Sequence, residues 1–174
     1  YPRESASDRA PETIGKIDVP KRAQYLRVIA AELQRVASHL LWLGTWCVDM
    51  GGALGGGATI FLYCIRERES ILDLFESLVG ARLLYGFYQV GGVRYDIPAG
   101  WAQTCRETVD LIDKRIDEYE QMLEDNPFFL VRTQGVGVIS RELAEDVGIS
   151  GPLLGGSGVA WDLRGSHWYS SFQS

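Results

Sequence analysis

The stretch RAQYLRVIAAELQRVASHLLWLGTWCVD, residues 22–49, decides the fold. At 100° per residue, Leu26, Ile29, Leu33, Val36, Ala37, Leu40 and Gly44 fall on one face, with Glu32, Arg35 and His39 on the opposite one. The pattern predicts an amphipathic helix with a titratable stripe. Val28, Trp42 and Trp46 share the sector of that stripe, and large aromatics are usually withdrawn from water, so the polar groups are expected to face protein or a cavity. Periodicity by itself favours a plainer reading, a surface helix with an ordinary Glu32–Arg35 pair at i,i+3 and a satisfied histidine.

Upstream of the helix, residues 1–18 (YPRESASDRAPETIGKID) are polar, carry two prolines and show no period. They are read as a mobile or partner-dependent leader, which leaves residues 19–174 as the folded unit. Pro20 stands where a missing N–H costs nothing, near the first turn. Downstream, GGALGGGAT at 51–59 has five glycines in nine residues, a composition that breaks a helix and permits close backbone approach. It is no phosphate loop, because it lacks the Lys-Ser/Thr such a loop requires and follows no strand.

A second helix is expected from about Ile60 to Arg82, with Phe61, Ile65, Leu72, Phe75 and Val79 as its apolar stripe. Arg68 falls in the middle of that stripe. A guanidinium there either finds an acid from another element, Asp49 being one candidate, or snorkels to water from the stripe's edge. Residues 85–101 read as a loop with a short extended piece. A third helix places Cys105, Val109, Ile112, Ile116, Tyr119 and Leu123 along an antiparallel seam and ends at Asn126-Pro127. In the last third, FFLVRTQGVGVIS suits short strands or an irregular crossing, RELAEDVGI a helix of about two turns, and SGPLLGGSG a glycine loop. The aromatic end, WDLRGSHWYSSFQS, has no closing element, and the chain is expected to continue beyond it.

Composition narrows the function classes. The 174 residues can bury one core, and hydrophobic and charged fractions of 46% and 23% are those of a folded protein rather than a disordered one. A net charge of −6 without any Lys/Arg run argues against nucleic acid as a partner. The three cysteines, Cys47, Cys64 and Cys105, are scattered, which fits a reducing compartment. No C-x-x-C occurs, so an iron–sulfur or nickel site is expected on a partner and not here. No uninterrupted apolar stretch is long enough to cross a bilayer, and attachment to a membrane would go through another subunit.

Five ordered motifs together carry a family resemblance: RAQYLRVIAAEL with ASHLLWLGT and Asp49, then RERESILDLFESLVGAR, GGVRYDIPAG, GVGVISRELAEDVGISGPLL, and GSGVAWDLR. Over roughly residues 19–164 the chain resembles the D subunit (49 kDa type) of respiratory complex I, the quinone-reactive catalytic-core subunit, itself similar to the large subunit of nickel–iron hydrogenases.

The resemblance implies a mainly α fold, a helical bundle of the hydrogenase large-subunit type with small irregular α+β elements in the last third. It implies a part in an NADH (or other donor):quinone oxidoreductase, passing electrons from an iron–sulfur cluster of a partner subunit to quinone and coupling this to proton translocation. The chain alone is expected to be inactive and to bind no cofactor or metal. Expected partners are an iron–sulfur (B-type) subunit, a C-type subunit and membrane-arm subunits, on the cytoplasmic side of the cell membrane. The family's quinone-binding histidine and tyrosine would lie upstream of Tyr1. Its aspartate, hydrogen-bonded to that histidine, aligns with Asp49, its helix histidine with His39 and its stripe acid with Glu32. These are the expected proton-handling residues, a carboxylate and an imidazole near quinone being able to supply protons. Arg68, Arg82 and Arg35 are expected to support the quinone pocket or cluster interface.

The sequence also departs from the family. GGALGGGAT is longer than the usual link after the aspartate, Leu84 stands where many members carry a histidine beside the cluster, and Gln89 and Gly155 replace arginines, while Arg82 and Arg164 are kept. Loss of the histidine would remove pH dependence from the cluster's potential. Two other readings stay open: a membrane-bound nickel–iron hydrogenase large subunit, and a non-enzymatic helical scaffold.

Overall fold

A computed structural model describes the backbone of residues 2–8 and the whole of residues 9–50, 57–83 and 86–162. Its elements are α1 (Pro2–Gly15), α2 (Lys21–Met50), α3 (Gly57–Val79), β1 (Tyr88–Gln89), β2 (Gly92–Val93), α4 (Trp101–Glu124), α5 (Pro127–Thr133), α6 (Arg141–Asp146) and α7 (Pro152–Gly156). Leu84, Arg164 and the glycines at 51–56, named above as departures or retained positions, lie outside the described residues.

The centre is the α2–α3 pair. Thirty residues at about 1.5 Å each make α2 about 45 Å long. The six residues that join it to α3 reach about 25 Å at most, so α3 runs back along α2. Small residues set the spacing. A Cβ on Gly44 would lie 3.0 Å from Phe61 Cδ2 and 3.3 Å from both Phe61 Cα and Cys64 Cβ, so glycine lets the two backbones approach here. Cys47, Cys64, Ile60, Ile71 and Phe75 fill the seam with essentially no exposure.

The buried face of α2 is Ala23, Leu26, Arg27, Ala30, Leu33, Ala37, Leu40, Gly44 and Cys47. It is rotated from the expected face, leaving Ile29 and Val36 on its exposed edge. On α3 the core row is Ile60, Cys64, Glu67, Ile71, Leu74 and Leu78, joined by Leu72 and Phe75. The sequence reading centred the stripe one residue later, on Phe61, Ile65 and Arg68. Gly80, with φ +74°, ends α3 by donating its N–H to the Glu76 carbonyl at 2.8 Å, an arrangement that favours glycine.

α4 packs antiparallel on α3. Trp101 Nε1 donates to the Leu74 carbonyl at 3.0 Å, and near the far end Arg115 Nε sits 3.3 Å from Glu67 Oε1. Ile112 and Tyr119 from the predicted seam are buried, whereas Val109 and Ile116 are exposed. The two strands pair antiparallel, Tyr88 with Val93 and Gln89 with Gly92, through a turn where Gly91 has φ +87°.

The fold is mainly α with a small β part, as predicted, and the strands fall in the short extended piece expected within residues 85–101. The sheet lies at 88–93, and the last third, expected to hold the α+β elements, contains helices among the described residues. FFLV, expected in short strands or an irregular crossing, begins α5 because Asn126 caps it, its side chain accepting from the Phe128 N–H at 3.0 Å with Pro127 in the first turn. A local cap thereby overrides β propensity. SGPLLGGSG, expected as a loop, holds the short helix α7. Residues 2–15, expected to lack periodic structure, form α1. Pro11 inside it removes a helical hydrogen bond, so α1 relies on contacts with the rest of the fold.

Candidate functional site

The α2 stripe is present opposite the buried face, but among the described residues it meets neither the protein nor the cavity it was expected to face. Glu32 and Arg35 form an ion pair at 3.0 Å, both partly exposed, and His39 is exposed two turns on. Trp42, expected to be covered, is 61% exposed and stacks on Trp46 at 5.9 Å between ring centres, while Trp46 in turn meets Phe129 of α5 edge-on at 5.8 Å. Within the described residues the stripe therefore faces outward. Asp49 is exposed in the last turn of α2, where the helix dipole is negative and a carboxylate is disfavoured by about 0.3–1 kcal/mol. Next to it, Arg132 of α5 donates to the Met50 carbonyl at 3.0 Å and closes the helix end.

These groups do not converge on one point. Along a helix, Glu32 and His39 are separated by about 10 Å and His39 and Asp49 by about 15 Å, so Glu32 and Asp49 stand about 26 Å apart. They form a row on one rigid rod.

The three arginines meet different fates. Arg35 holds Glu32. Arg82, just beyond α3, is clasped by Asp73 and Glu69 at 2.5 Å and by Glu76 at 2.7 Å, which raises its pKa further. Arg68 forms no ion pair with Asp49 or with any other described acid; it is half-buried, and its Nε is sealed from solvent without an acceptor.

Two buried polar clusters escaped sequence reasoning. In the first, Arg27 of α2 donates from Nη2 to Glu12 Oε1 at 2.6 Å and to the Gln89 carbonyl at 2.8 Å, and from Nε to the Gly92 carbonyl at 3.0 Å. The Gly91 N–H donates to the same Glu12 oxygen at 2.8 Å, and Tyr88 Oη donates to the Arg27 carbonyl at 2.5 Å. This knot ties α1, α2 and the hairpin together. Arg27, followed by the Gly91 amide, holds the Glu12 carboxyl below its ordinary value despite burial.

In the second, Glu67 is 2% exposed inside the α3–α4 seam and is gripped in bidentate fashion by Arg66, at 2.8 and 2.5 Å. Arg115 stands at ion-pair distance without an aligned hydrogen bond, and itself bonds Glu118. The Tyr119 hydroxyl is buried nearby with no partner among the described residues. Burial first, and then the charge of Glu67, push its pKa up. The signal in the sequence was the spacing 60, 64, 67, 71, 74, 78, an apolar row with one acid in it.

The cysteines do not fit an iron–sulfur cluster. Cys47 and Cys64 are sealed in the α2–α3 seam, where burial pushes the Cys64 thiol up to about 11, and Cys105 lies half-buried on α4. No group of three His, Cys, Asp or Glu poised for a metal occurs among the described residues. No described helix is long and apolar enough to cross a membrane. Among the described residues, two surface hollows contain neither His39 nor Asp49. One, of about 390 Å³, lies between Ser70, Asp73, Trp101 and Thr104; the other, of about 400 Å³, lies beside the Glu12–Arg27 pair.

Comparison with known proteins places this architecture. Residues 55–174 match the family described as "Respiratory-chain NADH dehydrogenase, 49 Kd subunit". Over 169 residues the chain is 46% identical to the H subunit of the chloroplastic NAD(P)H-quinone oxidoreductase of Angiopteris evecta and 47% identical to that of Daucus carota, in each case covering 97% of this chain and 42% of the relative. Among solved structures, a chain of the membrane-bound sulfane sulfur reductase, an archaeal respiratory membrane complex, superposes with a TM-score of 0.81 at 34% identity, covering 94% of this chain and 42% of that one. The chain thus spans less than half the length of these relatives. The motifs that carried the resemblance, the α2–α3–α4 core and these matches agree: the chain belongs to the 49 kDa subunit family of respiratory-chain NADH dehydrogenase.

Proposed function

We propose that this chain is part of the quinone-reducing module of a complex I-type oxidoreductase, taking electrons from an iron–sulfur cluster held by a partner subunit and coupling their transfer to proton translocation. The observation that carries the reading is the 46–48% identity, over nearly all of this chain, to subunits named for NAD(P)H-quinone oxidoreductase. The sulfane sulfur-reducing complex shares the fold at the lower identity of 34%, so quinone is preferred as acceptor. The partners are an iron–sulfur (B-type) subunit, a C-type subunit and membrane-arm subunits, with the chain peripheral on the cytoplasmic face. Its own cysteines, sealed or scattered, support placing the cluster on a partner.

Asp49 and His39 are the proton-handling groups in this reading, with Glu32 further along the rod. Both Asp49 and His39 are exposed and so open to a partner or to quinone. Asp49 is kept at the disfavoured end of a helix dipole, a position that stability alone would not select. Arg35 and Arg82, held by acids, and Arg68, held by none, support the surrounding interfaces.

The test is Asp49→Asn in the assembled complex, with membrane-bound quinone reduction and native-gel assembly read side by side. The expected outcome is lost quinone reduction with assembly unchanged. Normal turnover would remove Asp49 from the mechanism. His39→Ala is the companion, read by kcat at saturating quinone because a packing defect would also disturb assembly.

A further inference from the structure

Two polar atoms in the α3–α4 seam are sealed from solvent without a partner among the described residues, the Tyr119 hydroxyl and Arg115 Nε. They belong together. Residues 115 and 119 are four apart on α4 and so share its face toward α3, where Glu67 and Tyr119 are each only 2% exposed. Arg115 Nε is 3.3 Å from Glu67 Oε1 without the alignment of a hydrogen bond, and the charge of Glu67 reaches the phenol, whose pKa it helps to raise. A buried hydroxyl left unbonded is costly, and most such groups have protein or ordered water beside them.

The charges around these atoms decide what can sit between them. Arg66 grips both Glu67 oxygens, at 2.8 and 2.5 Å, and Arg115 brings a second guanidinium, so a metal ion would be repelled. The Glu67 carboxylate repels an anion in the same way. Cys64, sealed against the same tyrosine, has its thiol pushed up to about 11 by burial and is a neutral wall. The occupant that fits is neutral, polar and small. Glu67 has acceptor capacity left for it, because a carboxylate offers about four lone-pair sites and Arg66 takes two of them.

We infer that Glu67, Arg115 and Tyr119 form the binding site of one internal water molecule between α3 and α4. The water accepts from Arg115 Nε–H and from the Tyr119 hydroxyl and donates to a Glu67 oxygen, about three bonds being what an internal water usually makes. Both sealed donors are then satisfied, and the buried acid of α3 is joined to α4 by a second link besides its ion pair. The site belongs to the packing of the chain, so it stands whether or not Asp49 handles protons.

The test compares the wild-type chain with Tyr119→Phe and with Tyr63→Phe, Tyr63 being the half-buried tyrosine under Arg66 at the edge of the same cluster. Magnetic relaxation dispersion of the water oxygen counts long-lived internal waters in solution, and urea unfolding is followed in parallel. The expected result is one long-lived water fewer in Tyr119→Phe and an unfolding constant about tenfold higher, with Tyr63→Phe close to wild type in both. An unchanged water count in Tyr119→Phe would overturn the inference; if stability fell all the same, the hydroxyl bonds Glu67 directly. An equal loss of water in Tyr63→Phe would also overturn it. So would a Tyr119→Phe chain as stable as wild type or more so, since deleting a hydroxyl that has no partner removes nothing favourable.

Discussion

Gly44→Ala sets two effects of opposite sign against each other. In a helix interior, alanine is favoured over glycine by about 1 kcal/mol, so propensity alone predicts a more stable chain. The added methyl, however, would sit 3.0 Å from the Phe61 ring and 3.3 Å from both Phe61 Cα and Cys64 Cβ. Carbon atoms prefer about 3.5–4.0 Å, so each contact is short by several tenths of an ångström. The ring can turn away. The Phe61 Cα and Cys64 Cβ cannot, and α2 and α3 must part along a seam where Cys47, Cys64, Ile60 and Phe75 have no spare room. Overpacking of this kind costs about 1–3 kcal/mol, and contact with backbone puts Gly44 in the upper half. The net expectation is a loss of about 1–2 kcal/mol, or a thermal midpoint lowered by about 3–6 °C for a chain of this size. Gly155→Ala is the control, a helical glycine with nothing within 4 Å of its absent Cβ and an ordinary φ, which should be neutral or slightly stabilising. Both are read by circular dichroism melts. If Gly44→Ala raised the midpoint as Gly155→Ala does, the claim that glycine sets the α2–α3 distance would be wrong.

Glu67→Gln keeps the shape of the buried acid but removes the charge that Arg66 and Arg115 share; because both arginines retain access to water, a loss of about 2 kcal/mol in urea unfolding is expected, below the 3–5 kcal/mol of a fully buried pair. The Glu12 carboxyl, held below its ordinary 4.5 by Arg27, contributes stability that is present above the unfolded value and lost as pH falls through the lower folded value. Hydrogen exchange at the Gly91 amide should therefore accelerate with acid below about pH 4.5 beyond its intrinsic trend, and Glu12→Gln should abolish that extra acceleration. Iodoacetamide at pH 8 should leave Cys47 and Cys64 unmodified in the folded chain and label both in denaturant, as mass spectrometry would show; labelling of either in the folded state would contradict their sealed seam.

The long helices were legible because each has one dominant period, with Pro20 before α2 and Asn126 after α4 as stops; Gly80 ends α3 short of the expected Arg82. What periodicity could not fix was rotation. A shift of one residue separates the rows 61, 65, 68 and 60, 64, 67 on α3, and the tie was decided by tertiary pairing of Glu67 with arginines, one of them 48 positions away on α4. Helical spacing put Arg68, and not Glu67, in the apolar stripe, either paired with an acid from another element or snorkelling from the stripe's edge. α1 was illegible for a related reason. Its residues are polar and Pro11 opposes a helix, so what holds it is Arg27, a residue that helical spacing alone left unassigned between two apolar neighbours. α5 carried its own signal in Asn126-Pro127, which serves both to end one helix and to cap the next.

Asp49, His39 and Glu32 were named from the resemblance, and their geometry constrains how they can act together. An α-helix is a stiff ruler, and about 26 Å separates the ends of this row, far beyond the reach of one substrate headgroup or one hydrogen-bonded chain of side chains on α2 itself. A proton passing between Asp49 and Glu32 would have to move through groups or waters supplied by whatever covers the outward face of α2. The exposed Trp42 between His39 and Trp46 shows that this face has apolar area to bury as well as charges to connect. The same surface must therefore serve docking and proton handling, and changes there should disturb assembly and turnover together. Asp49, at the helix end beside the Arg132 clasp, is the position where the two effects are most separable. That is the physical reason for reading the mechanism through Asp49→Asn before any other substitution in the row.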